Sequence, residues 1–141
     1  MNNIMKKFEF SNFLKLDNPF IYQGMKFYYV ETFFVAMKTL DVYQRDIISK
    51  MKPGEAKKFG RRLKLRSDWE DIKVKVMKFA LEKKFAPGTS WYKKLKQTKD
   101  EYIVETNYWH DNIWGNCICH KCQDIPGQNI LGKLLMEIRE K

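Results

Sequence analysis

The chain lacks any long apolar run: no uncharged stretch approaches the roughly 18 residues a membrane-spanning helix requires. It also lacks the profile of a secretion signal. Lys6 and Lys7 supply early positive charge, but Phe8 to Asn12 interleaves apolar with polar residues where an unbroken apolar segment should follow. The address this predicts is cytoplasmic, with no membrane partner. Internal repeats, low-complexity tracts and Gly/Ser linkers are absent, so nothing divides the sequence. At 141 residues it is read as one domain over residues 1–141. Cysteine is scarce and oddly placed. All three fall within six residues, at Cys117, Cys119 and Cys122, which does not suit a disulfide framework.

Acidic residues are also in deficit. Asp and Glu total 17 against 27 Lys and Arg, a net charge of +10. A field of that sign attracts polyanions: nucleic acid, a phosphorylated ligand or an acidic protein. What the sequence does have is apolar material, 44% hydrophobic and 15% aromatic residues, enough for a packed core.

Periodicity predicts an α+β fold that is predominantly helical, with a small N-terminal and central β element. Phe20–Tyr22 and Met25–Tyr28 flank Gln23-Gly24, a two-residue hairpin signal. A helix is expected over Glu31–Leu40, with Phe33, Met37 and Leu40 inward and Glu31, Phe34, Val35 and Lys38 on an adjoining face. A second should cover Val42–Met51 with Ile47, Ile48 and Met51 inward. Pro53 suits the first position of a third. Ser67-Asp68-Trp69-Glu70 has capping-box spacing and should start the longest helix. There Trp69, Ile72, Val76, Phe79 and Ala80 form the inward stripe, with the lysines largely outside. Pro87-Gly88 ends it, Ser90–Gln97 is another helix, and Tyr102–Glu105 reads as a strand. In the C-terminal helix Ile130, Leu131, Leu134, Leu135 and Ile138 repeat at helical period, and Gly132 marks close approach of another backbone.

Four groups of residues could carry chemistry. Glu31 and Lys38 lie seven residues apart, so on a continuous helix both would face one way, about 10.5 Å apart along the axis. The plain alternative is a pair of solvated charges. Tyr108 to Gly115 concentrates three aromatics with Asp111 and a glycine. Aromatic faces stack on bases, and a carboxylate can stabilise a developing cation; a loop pinned by its tryptophans would look similar. Lys50 to Arg66 carries eight basic residues against Glu55 alone, with Gly54 and Gly60 allowing close backbone approach to phosphate. Such a run also suits a solvated helix face. Finally, Cys117, Cys119, His120 and Cys122, with His110 and Asp124 nearby, could complete a tetrahedral zinc site. The cysteines are packed unusually close and no second CxxC pair exists, so reduced thiols are expected in preference to metal.

These segments together resemble the NADAR family, the YbiA-like N-glycosidases. The matching stretches run in order: Phe10-Ser11-Asn12-Phe13, Gln23-Gly24-Met25-Lys26, Glu31 to Ala36-Met37-Lys38, Gly54-Glu55-Ala56-Lys57 with Gly60-Arg61, and Leu65-Arg66-x-Asp68-Trp69. They continue through Val76-Met77 to Lys84-Phe85, Asp111-x-x-Trp114-Gly115, and Asn129-x-Leu131-Gly132-x-x-Leu135-Met136-x-x-Arg139.

The resemblance implies hydrolysis of the bond between ribose and nitrogen, either in ADP-ribosylated bases such as ADP-ribosyl-guanine in nucleic acid or in amino-ribosyl intermediates of riboflavin synthesis. It places catalytic residues at Lys38, Glu31 and Asp111. Substrate contacts fall on Trp69, Trp114, Asn12, Phe13, Arg61, Arg66, Gly115 and Asn129. No cofactor is implied, and a monomer is expected. The chain departs from the family at Thr32 and Val35, where members often carry a histidine and a glutamine. A Schiff-base role for Lys38 requires its amine to be neutral. A lysine of ordinary pKa is only on the order of 0.1% neutral at pH 7, so burial or cations such as the Arg61–Arg66 stretch must act on it. Two other classes stay open: a module that binds ADP-ribose or nucleic acid without cutting, and a basic structural protein that binds single strands.

Overall fold

The structure, a computed structural model, describes residues 8–141. The reading of Lys6 and Lys7 lies outside the described residues. Contacts divide the chain into two compact units, Asn12–Trp91 and, in the other, Tyr92–Lys141 with the described residues before Asn12.

In the Asn12–Trp91 unit, β1 (Phe20–Tyr22) and β2 (Met25–Phe27) pair antiparallel, with Phe20 opposite Phe27 and Tyr22 opposite Met25. Gln23 at φ 51° and Gly24 at φ 79° both occupy the left-handed region. That matches the two-residue turn whose twist suits a hairpin. Alternation buries Met25 and Phe27 and exposes Lys26.

Helix α1 (Val30–Ala36) follows and buries every residue except Glu31. A helix apolar on all sides must sit inside a unit. It packs against α2 (Val42–Ser49), α3 (Pro53–Gly60), α4 (Trp69–Lys84) and β2. Phe33 anchors an aromatic cluster with Phe20, Phe27 and Phe79, at ring separations of 5.1, 5.1 and 5.6 Å. Caps fix the surrounding helices. The Asp41 carboxylate accepts the N–H groups of Tyr43 and Gln44 at the start of α2. Pro53 opens α3, as expected. The carboxylate of Asp17 accepts the Ser90 N–H at the start of α5 (Ser90–Gln97) at 2.6 Å.

Several expectations need correction. Helix α1 stops at Ala36, short of Leu40, and Leu40 is exposed because the chain has already left the helix. In α2, Ile48 is buried but Ile47 is exposed and Met51 only half-buried. The longest helix starts where expected, yet its N-cap Asp68 makes no side-chain cap, since its carboxylate is held by Arg66. Along α4 the buried stripe is Trp69, Met77, Ala80, Leu81 and Lys84, while Ile72 and Val76 are half-buried and Phe79 is exposed on one edge. Lys84, expected outside, is 1% exposed.

In the other unit, β3 (Thr106–Asn107) pairs parallel with β4 (Asn116–Cys117). The expected strand Tyr102–Glu105 is irregular, and pairing begins one residue later. A 3-10 turn, His120–Cys122, precedes α6 (Ile130–Arg139), whose inward face is Leu131, Leu134, Leu135 and Ile138. Each such aliphatic burial contributes about 1.5–3 kcal/mol. Gly132 does face another backbone: a Cβ there would collide with the Ile103 carbonyl oxygen. Among the described residues, no helix is long and apolar enough to cross a membrane.

Candidate active site

Lys38 sits on the turn that ends α1. Met37 caps the helix, and the Lys38 N–H donates to the Val35 carbonyl at 3.0 Å. Such tightening is common where a helix has run out of partners. Lys38 therefore does not share a continuous helix with Glu31, though it still feels the charge of that carboxylate.

Arg66 holds this turn. Its N–H donates to the Lys38 carbonyl at 2.9 Å, and its Nη1 reaches the Met37 carbonyl at 3.4 Å. Nε and Nη2 form a fork on the Asp68 carboxylate at 2.7 and 3.2 Å. The hydrogen bonds from Arg66 hold that carboxyl below its usual pKa. A guanidinium at a helix C-terminus also meets the negative end of the helix dipole. Arg66 was expected to contact substrate; here its fork is engaged by Asp68, while its Nη1 and backbone N–H hold the turn at Lys38.

The ammonium of Lys38 is half-buried, 5.6 Å from the centre of the Phe34 ring. Phe34 in turn meets Trp69 edge-on at 4.9 Å. Gly60 faces the same place, where a Cβ would lie 2.9 Å from Val35 Cγ1 and 3.8 Å from Lys38 Nζ. Burial pulls the Lys38 pKa below the ordinary lysine value; Glu31 opposes this, and Lys57 and Lys73 reinforce it. The cations acting on Lys38 are thus Lys57 and Lys73, not the Arg61–Arg66 stretch. Lys57 lies over the Phe13 ring at 5.7 Å. Lys73 pairs with Glu70 at 2.7 Å. Arg61 is exposed. Lys84 is the other depressed lysine, brought by burial to about 7, but at 1% exposure it is closed to a substrate.

Asn12 is buried beside this chemistry. Its carbonyl accepts the Glu31 N–H at 3.2 Å and its amide contacts Met77 Sδ at 3.5 Å. Its Oδ1 is buried without a hydrogen-bond partner. A buried polar atom left so is unusual in a protein interior. Trp69 is 5% exposed, so little of the indole is open to a ligand.

Asp111, Trp114, Gly115 and Asn129 belong to the other unit. Asp111 Oδ1 accepts the N–H groups of Ile113 and Trp114 at 3.1 and 2.9 Å and so shapes its own loop. Trp114 is half-buried, and its carbonyl accepts the Leu131 N–H at 2.9 Å. Gly115 is required sterically, because a Cβ would strike the Glu105 carbonyl. Asn129, at φ 51°, spans two backbone groups: Oδ1 takes the Glu105 N–H at 3.0 Å, and Nδ2 donates to the Ile103 carbonyl at 2.8 Å. Its amide serves the fold.

The cysteine cluster has a different fourth member from the one expected. His120 is exposed and outside it. His110 instead directs Nδ1 at Cys122, Cys119 and Cys117, at 3.3, 3.3 and 3.9 Å. Burial works to raise the Cys117 thiol, but hydrogen bonds from Cys119, His110 and Cys122 bring it to about 7. Burial, with hydrogen bonds to the other two thiols, raises Cys122 to about 11. A depression of about 430 Å³ adjoins the cluster, lined by Asn116–Ile118 and Cys122–Pro126; none of the expected catalytic residues lines it.

Sequence reasoning gave no role to Lys73 or Lys84, placed Phe34 on the face of Glu31 and Lys38 without a function, put Lys57 in a candidate phosphate cradle, and noted His110 near the cysteines without choosing it as the fourth ligand. Gly60 was the legible signal, noted for phosphate and found instead to leave room for Val35 and Lys38.

Comparison with known proteins bears on the whole chain. The NADAR domain matches residues 2–141. The chain is 40% identical over 91 residues to N-glycosidase Npun_R5314 of Nostoc punctiforme, covering 63% of this chain and about half, 54%, of that protein. It is 35% identical over 140 residues to N-glycosidase YbiA of Escherichia coli, covering 94% of this chain and 80% of that protein. The NMR structure of E. coli YbiA superposes with a TM-score of 0.75 at 34% identity, covering 92% of this chain and 74% of that one. The maize protein named riboflavin biosynthesis protein PYRR, chloroplastic, is 32% identical over 125 residues, 79% of this chain but 19% of that protein. The α+β fold is thus that of YbiA, and the chain belongs to the NADAR family.

Proposed function

We propose that this chain is an N-glycosidase that hydrolyses the bond between ribose and nitrogen in an ADP-ribosylated base, through a covalent intermediate on Lys38. The observation that carries this reading is the half-buried amine at the end of α1, with its pKa lowered by burial and Glu31 close enough to oppose the shift. The names of the E. coli and Nostoc relatives support the bond type.

Chemically, the C1–N bond breaks as the departing nitrogen takes a proton from Glu31. The neutral amine of Lys38 attacks C1 and, once the sugar ring opens, forms a protonated Schiff base. Glu31, now a carboxylate, accepts a proton from the water that attacks this carbon. The Lys38 nitrogen leaves as an amine, and the sugar closes to its hemiacetal. The balance is one water consumed, with free ribosyl hydroxyl and N–H formed. Asn12 Oδ1 is assigned a sugar hydroxyl, since it is buried and lacks a partner. Asp111 keeps only the assignment that the family resemblance gives it, a carboxylate able to stabilise a developing cation. No cofactor is needed.

A second reading has its own support: the likeness to the maize riboflavin protein favours a small amino-ribosyl pyrimidine phosphate as substrate. The net charge of +10 suits either phosphate-bearing substrate but favours one carried on nucleic acid. A non-catalytic ADP-ribose reader would have no use for a depressed lysine. Incubating the protein with ADP-ribosylated DNA and, separately, with ribosylated pyrimidine intermediates tests these readings. Mass spectrometry should detect ADP-ribose released from the DNA. Release from the pyrimidine alone would favour the second reading, and release from neither would remove the glycosidase assignment.

A further inference from the structure

Residues Val104 to Gln128 pose a stability problem. Across this stretch the only buried apolar side chains are Cys117 and Cys122. Tyr108, Trp109, Ile113 and Ile125 are exposed, and the regular pairing is two residues long. A segment with so little apolar burial needs another source of order.

The thiols and His110 supply one. His110 Nδ1 and the three Sγ atoms all lie within 4.8 Å of one another. A tetrahedron with Zn–S near 2.3 Å and Zn–N near 2.0–2.1 Å separates its donor atoms by about 3.6–3.8 Å. The His110 distances of 3.3, 3.3 and 3.9 Å bracket that range. The backbone is shaped for the same end. His110 adopts φ 69°, a left-handed conformation uncommon for a residue with a side chain. Its N–H donates to Cys117 Sγ at 3.3 Å, and the Cys122 N–H closes a turn on the Cys119 carbonyl at 3.1 Å. Cys117 is fixed by its own N–H, which donates to Asn112 Oδ1 at 2.9 Å. All four donors come from one segment of 13 residues, 110–122.

We propose that His110, Cys117, Cys119 and Cys122 form a structural site for a zinc-like divalent cation. Binding releases the three thiol protons to solvent and gives a cation with three thiolates and a neutral imidazole, net charge −1. With four protein donors the site is closed, so its role is to hold the loop rather than to activate water. The segment it ties down includes Asp111 and Trp114, which gives the metal a positioning role for that loop.

The test uses the full chain, purified with reductant and without chelator. Elemental analysis should find about one zinc per chain. Titration of the metal-free protein with Co²⁺ should give thiolate charge-transfer absorption and the intense visible bands of a tetrahedral ion, saturating at about one equivalent. His120→Ala should behave as the parent, whereas His110→Ala should bind at least tenfold more weakly. Should His110→Ala fail to fold, His110→Cys serves: it should retain one equivalent of Co²⁺ with stronger thiolate charge transfer. Absence of a tetrahedral thiolate spectrum in the reduced chain would overturn the site. So would equal losses in the His110 and His120 variants, or a His110→Cys spectrum identical to the parent's. None of these readouts depends on glycosidase activity.

Discussion

Replacing Lys84 with methionine should make folding stability less dependent on pH between 6 and 8, and the size of the change follows from one group. Lys84 is 1% exposed in α4, its ammonium 4.3 Å from the centre of the Trp91 ring and 5.6 Å from that of Phe85. Burial lowers its pKa to about 7, whereas in the unfolded chain it titrates as an ordinary lysine. The folded state therefore binds fewer protons than the unfolded state between those values, and stability rises with pH across that window. The penalty for charging the buried amine is fully present below pH 7 and disappears as pH approaches the ordinary lysine value. With a folded pKa of about 7, integration gives a gain of about 1.4 kcal/mol between pH 6 and 8.

Methionine keeps much of the side-chain length and removes the ionisable group. Urea unfolding of parent and Lys84→Met at pH 6, 7 and 8 isolates this contribution, because the other titrations largely cancel in the difference. The variant should have its greatest advantage at pH 6, partly offset by loss of about 1–2 kcal/mol of cation–π attraction. That advantage should shrink by about 1.4 kcal/mol by pH 8. A difference that stays flat across the range would refute the reasoning, because Lys84 would then titrate alike in both states.

Other outcomes test the candidate site. Lys38→Ala should reduce turnover at least about a thousandfold while leaving thermal unfolding nearly unchanged, and Lys38→Arg should fail equally because a guanidinium stays charged. In the parent, the single-turnover rate should have a bell-shaped pH dependence, because Glu31 must be protonated while Lys38 is neutral, and its alkaline limb should set in below the ordinary lysine pKa of about 10.4 because burial lowers that of Lys38. Arg66→Lys keeps the charge but loses the fork on Asp68 and the contact with Met37. It should lower stability by about 1–3 kcal/mol in urea titrations. Gly132→Ala should lower it by a similar amount, about 1–3 kcal/mol, because its methyl group meets the Ile103 carbonyl and the Asn129 amide.

The elements that were legible in sequence are those set by local chemistry. Gln23-Gly24 needed two positive φ values and obtained them, which fixed the hairpin register. Pro53 marked the first turn of α3, and the spacing of Leu131, Leu134, Leu135 and Ile138 identified α6 with its inward face. Gly132 announced a close backbone contact and has one. Where tertiary contacts compete with local preference, the reading drifted. Asp68 has the right chemistry and position for a helix cap, but its carboxylate binds Arg66 more strongly than it could bind an amide. Lys84 falls on a helix otherwise edged with lysines, and only the packing of Trp91 and Phe85 shows that it lies inside.

The same limit applies to the two residue groups for which chemistry is proposed. Glu31 and Lys38 were found by spacing on a helix that ends before Lys38, so the pairing was legible for a reason the structure does not keep. Lys38 is placed instead by the compact turn that Arg66 holds, and an arginine 28 residues further along cannot be assigned to that role from periodicity. For the cysteine cluster, proximity in sequence favoured His120, the neighbour of Cys119. The 3-10 turn that sets Cys122 leaves His120 exposed, and the left-handed backbone at His110 returns its imidazole to the thiols. In both cases residue identity showed which chemistry was available, while a single backbone reversal decided which partner reached it.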